Sequence, residues 1–326
     1  MNGLLDCAAV AARIQAGETL LIAGDEAMLK TLPPGNWIGG TIPYFMTEQG
    51  GLQTADRLFV NEMPAAAETV IARYSIDALP TLCCDHPGNG FTVILLPGFS
   101  AITEIFAKSV SDFPGLASRP LIGWVSGVAL ADVGRVTPKV FDGRTGRSSA
   151  GEAVVMHVML PDTLRAALST INVFSPGGGS VITFPEAGFS ASKAFIDGLP
   201  VDFAAYLAEN AIDTALPLVA VHDSAMVNVS IQSADPAAGL VTFYAPVFPR
   251  IEYRLAAPIE DYAQSFIARL DADGPPYTFA CNCILNYVHA GLEGRSTGRL
   301  TGPMTFGEIA YRLLNQTAVS LTVEPA

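Results

Sequence analysis

Two thiols, a histidine, two carboxylates and a run of amides fall within residues 280–317, in an otherwise weakly charged stretch. Burying such groups without partners costs a few kcal/mol each, roughly, so their concentration predicts a pocket. Cys281, Asn282 and Cys283 stand at a spacing that would put both thiols on one face of a strand, and would splay them on a helix. With His289 and Glu293 following, a metal site is conceivable, but no second CxxC or HxxxH completes a tetrahedral shell. A thiolate nucleophile would need a base such as His289 or His222 to lower its pKa. The remaining reading makes the cysteines small buried hydrophobes or pocket lining.

Glu308 follows Gly307 and precedes an apolar run, so its carboxylate is expected either to cap a helix over residues 309–314 or to bind a ligand's ammonium or hydroxyl. Asn315, Gln316 and Thr317 then add groups that both donate and accept hydrogen bonds. Trp37, alone among glycines, would cover an apolar part of the ligand, as would Phe306. Elsewhere, Cys83-Cys84-Asp85-His86 is a second cysteine–histidine cluster, where His86 could ligate a metal or haem. His222-Asp223 reads as an acid/base pair or, more simply, a hydrogen-bonded turn, and His157 as a satisfied core group. No phosphate loop, GxGxxG, GxSxG or HExxH occurs, and no cofactor is specified.

The composition narrows the function classes. A formal charge of −13 argues against nucleic acid and against docking on an anionic membrane. Half of the 326 residues are hydrophobic and 15% are charged, enough for a large core. No window reaches the ~18 uninterrupted apolar residues of a membrane span, and the N-terminus lacks a signal-peptide pattern. Five cysteines in so long a chain do not make a disulfide framework, so a reduced cytoplasmic location is expected.

These groups must be positioned by strands and helices that the hydrophobic pattern outlines. Helices are expected over residues 4–15, 101–110, 161–168, 201–212 and 258–270. Strands are expected over 19–23, 53–61, 69–74, 91–97, 120–130, 153–159, 180–184, 216–222, 226–232, 240–246, 250–255 and 318–323, while 32–42 reads as loop. Strict βαβ alternation is absent, which predicts an α+β fold with mixed or antiparallel sheets flanked by helices.

Phe279-Ala280-Cys281, the G-x-x-T-F-G-E-I segment at 302–309, and Asn315-Gln316-Thr317 before a last strand resemble the C-terminal part of FIST sensory domains. The L-I-G-x-V-S-G reading at 121–127 is similar to a strand end in that family's N-terminal part. The resemblance implies two related α/β portions, here 1–200 and 201–326, and a sensory module for a small polar metabolite such as an amino acid derivative. It carries over to the Cys281 segment, Gly307, Glu308 and Asn315–Thr317, although Cys283-Ile284-Leu285 replaces the arginine and glycine usual after the family's cysteine. With no output segment of its own, such a sensor implies a separate signalling protein as partner. The alternatives are a cysteine-dependent hydrolase or transferase with Cys281 as nucleophile, and a structural protein whose glycine-rich loops form a dimer surface.

Overall fold

The computed structural model describes residues 2–85, 88–222, 225–270 and 274–326. The fold is α+β, with mixed and antiparallel sheets and short flanking helices. Among the described residues three pairs of strands run parallel, and each is joined by a crossover containing a helix. Leu20–Gly24 pairs with Trp37–Thr41, Gly90–Pro97 with Leu121–Ser126, and Phe279–Cys283 with Gly302–Thr305. The helix between Gly90–Pro97 and Leu121–Ser126 is Ala101–Ser109, and the one between Phe279–Cys283 and Gly302–Thr305 is Ile284–His289.

Strands distant in sequence complete these sheets. Glu308–Ala310 pairs antiparallel with Leu121–Ser126, setting Glu308 opposite Trp124. Gly302–Thr305 pairs antiparallel with Tyr44–Thr47. Strands of the last fifty residues therefore complete two of the three sheets that hold strands of the first 160. One apolar core runs between the inner faces, with Trp124 stacked on Phe279, while smaller cores lie under Ala101–Ser109 and under Cys7–Gln15.

Local chemistry explains the helices. Asp6 accepts from the Ala9 amide, 2.8 Å, and Val10 and Ile14 bury one stripe of Cys7–Gln15. Residues 3–5 before it form a short strand paired with Leu58–Glu62, because Asp6 stops the helix from extending back. Ser100 caps Ala101–Ser109, whose Ile102 and Phe106 pack inward.

Three expected elements take a different form. Residues 161–168 do not make a helix: Leu164–Ile171 is a strand in full register with Ala318–Pro325. Leu164, Ala166 and Leu168 are half-buried while Arg165, Ala167 and Ser169 are exposed, a period of two that pairing with a long partner stabilises. The glycine-rich stretch taken as loop holds the buried strand Trp37–Thr41. Its glycines answer to close packing, since a Cβ on Gly39 would lie 2.9 Å from the Ile22 carbonyl and one on Gly40 3.0 Å from Trp124 Nε1. Residues 309–314 fold as a hairpin of Glu308–Ala310 and Arg312–Leu314, turning at Tyr311 with φ of 60°. Glu308 thus lies in a strand and caps no helix.

Candidate functional site

The strand Phe279–Cys283 is buried along its whole length, and its alternation sends Cys281 and Cys283 to one face and Asn282 to the other. On the thiol face stands Glu308, fully buried. One carboxyl oxygen accepts from the Thr317 hydroxyl at 2.8 Å and the Thr317 amide at 3.2 Å, and the other lies 3.4 Å from the Thr305 hydroxyl. Burial pushes this carboxyl up to about 8, with the contacts from Thr317, Cys283 and Thr305 holding it lower than burial alone would. Glu308 is therefore mostly a neutral acid at pH 7. Burial first, and then the field of Glu308, pushes both thiols well above the usual range. Cys281 Sγ lies 3.8 Å from the Gly123 carbonyl.

On the opposite face Asn282 Oδ1 accepts from the Cys283 amide at 2.7 Å and from Asn286 at 2.8 Å, with the Tyr262 hydroxyl 3.5 Å away. The amides after Glu308 serve a neighbouring sheet. Asn228 donates to the carbonyls of Asn315 at 3.1 Å and Gln316 at 3.3 Å, and the Ser230 hydroxyl donates to Gln316 at 2.8 Å. Gln316 holds a φ of 48° to make this turn.

The structure thus gathers Cys281, Cys283, Gly307, Glu308 and Thr317 around one buried carboxyl, with Asn282, Asn315 and Gln316 in adjoining networks. Asn282 bonds to Asn286, and Asn315 and Gln316 to Ser230, rather than to the Glu308 carboxyl. Trp37 lies elsewhere, stacked on Phe141 with its indole N–H donating to the Pro33 carbonyl at 3.0 Å. His289 is exposed, near Asp213. His86 and Asp223 lie outside the described residues, as does the side chain of His222. His157 is buried between the Tyr74 hydroxyl, 2.9 Å, and the Thr92 hydroxyl, 3.1 Å, a satisfied core position. Among the described residues no three metal-ligating side chains cluster.

A cleft of about 680 Å³ opens directly beside this network. Gly98, Phe99 and Ser100 line it just after Gly90–Pro97, Val125 near the end of Leu121–Ser126, Ile284 and Leu285 just after Phe279–Cys283, and Phe306 just after Gly302–Thr305. The carboxyl ends of two parallel pairs therefore converge on one cavity, the place where open α/β sheets bind ligands. Its aromatic walls are Phe99, Phe189, Phe243, Tyr244 and Phe306. Phe99 is a bulky residue at φ 57°, 55% exposed, with its ring edge-on to Phe306 at 5.7 Å. Such a backbone costs about 1–3 kcal/mol and persists where the surrounding packing holds it.

The sequence signal for these residues was the turn Pro97-Gly98-Phe99-Ser100 between a buried strand and an N-capped helix. For Phe189 and Tyr244 there was none, since they reach the cleft only through tertiary packing.

The thiol environment makes one direct prediction. Iodoacetamide at pH 7 is expected to modify exposed Cys84 first and to leave Cys281 and Cys283 unmodified until the chain unfolds. Peptide mass spectrometry reads this, and rapid labelling of Cys281 in the folded protein would contradict the burial described.

These features define an α+β protein with an aromatic cleft at the ends of its paired crossovers. The chain belongs to a family of unknown function, DUF6976, whose model matches residues 5–324. No curated protein matches it. Among the described residues no helix is long and apolar enough to cross a membrane.

Proposed function

We propose that this protein is a small-molecule-binding module whose cleft takes a metabolite with both polar and apolar parts, of the size of an amino acid derivative. The convergence of two strand–helix crossovers on the aromatic cleft carries this reading. A volume of about 680 Å³ lies within the usual range of small-ligand sites, and its lining combines aromatic walls with charged and hydroxyl-bearing side chains. Cys281, Glu308 and Thr317 would act beneath the cleft, fixing the segments that carry Ile284, Leu285 and Phe306. The resemblance to FIST sensory domains adds a role: occupancy would be read by a separate signalling protein.

The hydrolase or transferase alternative has less support. Cys281 is fully buried and held as a neutral thiol, in contact with a carbonyl rather than a base.

A melting-shift screen against a metabolite panel tests the proposal, run in parallel on Ser190→Trp, which fills the cleft from an exposed lining position. A ligand at 100 times its Kd stabilises the folded state by about 2.7 kcal/mol, a shift of several degrees. Hits should appear with the natural chain and vanish with S190W. Shifts that survive the blocking substitution would place binding elsewhere, and an empty screen would count against the module altogether.

A further inference from the structure

The charges of the cleft go further than its shape. Its charged lining residues are Glu104, Lys108 and Glu186, an excess of one negative charge in a chain that is itself strongly acidic. Lys108 is already committed. Its ammonium lies 5.5 Å from the centroid of the Phe189 ring and 3.9 Å from the Glu104 carboxylate. A cation over an aromatic face, flanked by a carboxylate, is the arrangement by which proteins hold ammonium groups.

Glu186, also on the lining, has no ion-pair partner among the described residues. The hydroxyls of Ser100 and Thr103 are occupied by the Pro97 carbonyl, at 2.6 and 2.7 Å. Ser100 also caps the helix Ala101–Ser109, and Glu104 in its first turn answers the positive end of that helix. The cleft's remaining charge is that of an acceptor of cations.

We infer that the cleft takes an organic ammonium borne on an apolar or aromatic body, with Lys108 as the chain's own occupant of the cation position and Glu104 and Glu186 as counter-charges. This rests on the binding reading above and specifies the ligand's chemical class. The apolar body packs against Phe99 and Phe306, and the ammonium replaces Lys108 over Phe189. The chain's negative charge draws such a ligand in, so affinity falls as salt rises.

The test uses three probes with the same ring and a matched chain: 3-phenylpropylamine, 3-phenylpropan-1-ol and 3-phenylpropanoate, titrated calorimetrically into the intact protein. The amine should bind about tenfold more tightly than the alcohol, and the carboxylate more weakly than either. Glu186→Gln should weaken the amine about threefold, within the range of a partly exposed ion pair, and leave the alcohol unchanged. Lys108→Met gives the sharpest reading, because it removes the competing ammonium. It should tighten the amine about threefold, whereas a lysine that anchors anions would leave the amine alone and abolish carboxylate binding. Equal binding of amine and alcohol, or preference for the carboxylate, overturns the ammonium inference while leaving the cleft as a binding site. If none of the three binds, or if Ser190→Trp binds all three as well as the natural chain does, both readings fail.

Discussion

Replacing Glu308 with glutamine is expected to remove most of the fall in stability that the natural chain shows between about pH 5 and pH 8. The carboxyl has an ordinary value of 4.5 and is pushed up to about 8 in the fold. Between those values the folded chain binds the proton more tightly than the unfolded chain, so raising the pH favours unfolding. The stabilising contribution is complete below about pH 4.5, declines by about 1.4 kcal/mol per pH unit above it, and is lost as the pH passes about 8. The whole window is worth on the order of 4–5 kcal/mol, a large share of the roughly 5–15 kcal/mol that stabilises a domain.

Glutamine keeps the shape and neutrality of the protonated acid, and its amide oxygen can still accept from Thr317. Alanine does neither. It strands the Thr317 hydroxyl and amide and leaves a cavity, at a cost of about 3–5 kcal/mol below about pH 5, a difference that narrows as the pH rises and the natural carboxyl loses its own advantage. Urea denaturation of the natural chain and of E308Q across pH 5–9 provides the measurement. The buried thiols, pushed up by the same burial, titrate above this window and do not distort the difference. Parallel stability curves for the two proteins would refute the buried-acid account.

The sequence made the thiol, carboxylate and hydroxyl cluster legible because each member is polar in an apolar setting, and such groups tend to find partners where they are buried. Cys281 and Cys283 on one strand face follow from spacing alone once the segment is a strand. The cleft was not legible in the same way. Phe189 and Tyr244 belong to the strands Gly188–Ala191 and Leu240–Val247, which pair with each other and reach Phe306 only through the packing of separate sheets. Trp37 misled because glycines around a single tryptophan resemble a flexible binding loop. Here they are the small residues that let a buried strand approach Ile22 and Trp124. Residues 161–168 misled for a related reason: an early proline is compatible with a helix start, but full pairing of Leu164–Ile171 with Ala318–Pro325 decided the conformation. The α+β class itself followed from the order of elements, which local patterning captures well.

Two glycines set the spacing on which the cluster and the cleft depend, and alanine at either is expected to prevent folding. Gly123 lies in the strand Leu121–Ser126 opposite Ile94, and a Cβ there would fall 1.8 Å from the Ile94 carbonyl oxygen. Gly302, beginning the strand Gly302–Thr305, would place a Cβ 2.0 Å from the Ala280 carbonyl oxygen. Both obstacles are backbone atoms of a neighbouring strand, so no side chain can swing aside to relieve the overlap. The strands would have to separate and surrender ladder hydrogen bonds in the buried interior, where lost pairing costs the most. A penalty above about 4–5 kcal/mol per substitution follows, enough to depopulate a marginally stable fold. Gly178→Ala is the control, since nothing lies within 4 Å of its Cβ position; it should change stability by no more than about 0.5 kcal/mol. Soluble yield and thermal melting of the three variants distinguish the cases, and a G123A protein melting within a few degrees of the natural chain would disprove the close approach. The consequence reaches the site directly. Gly123 supplies the carbonyl that faces Cys281, and Gly302 opens the strand whose end presents Phe306 to the cleft. The distance between strands at these two glycines therefore determines both how tightly Glu308 and the thiols are enclosed and how wide the cleft stands above them.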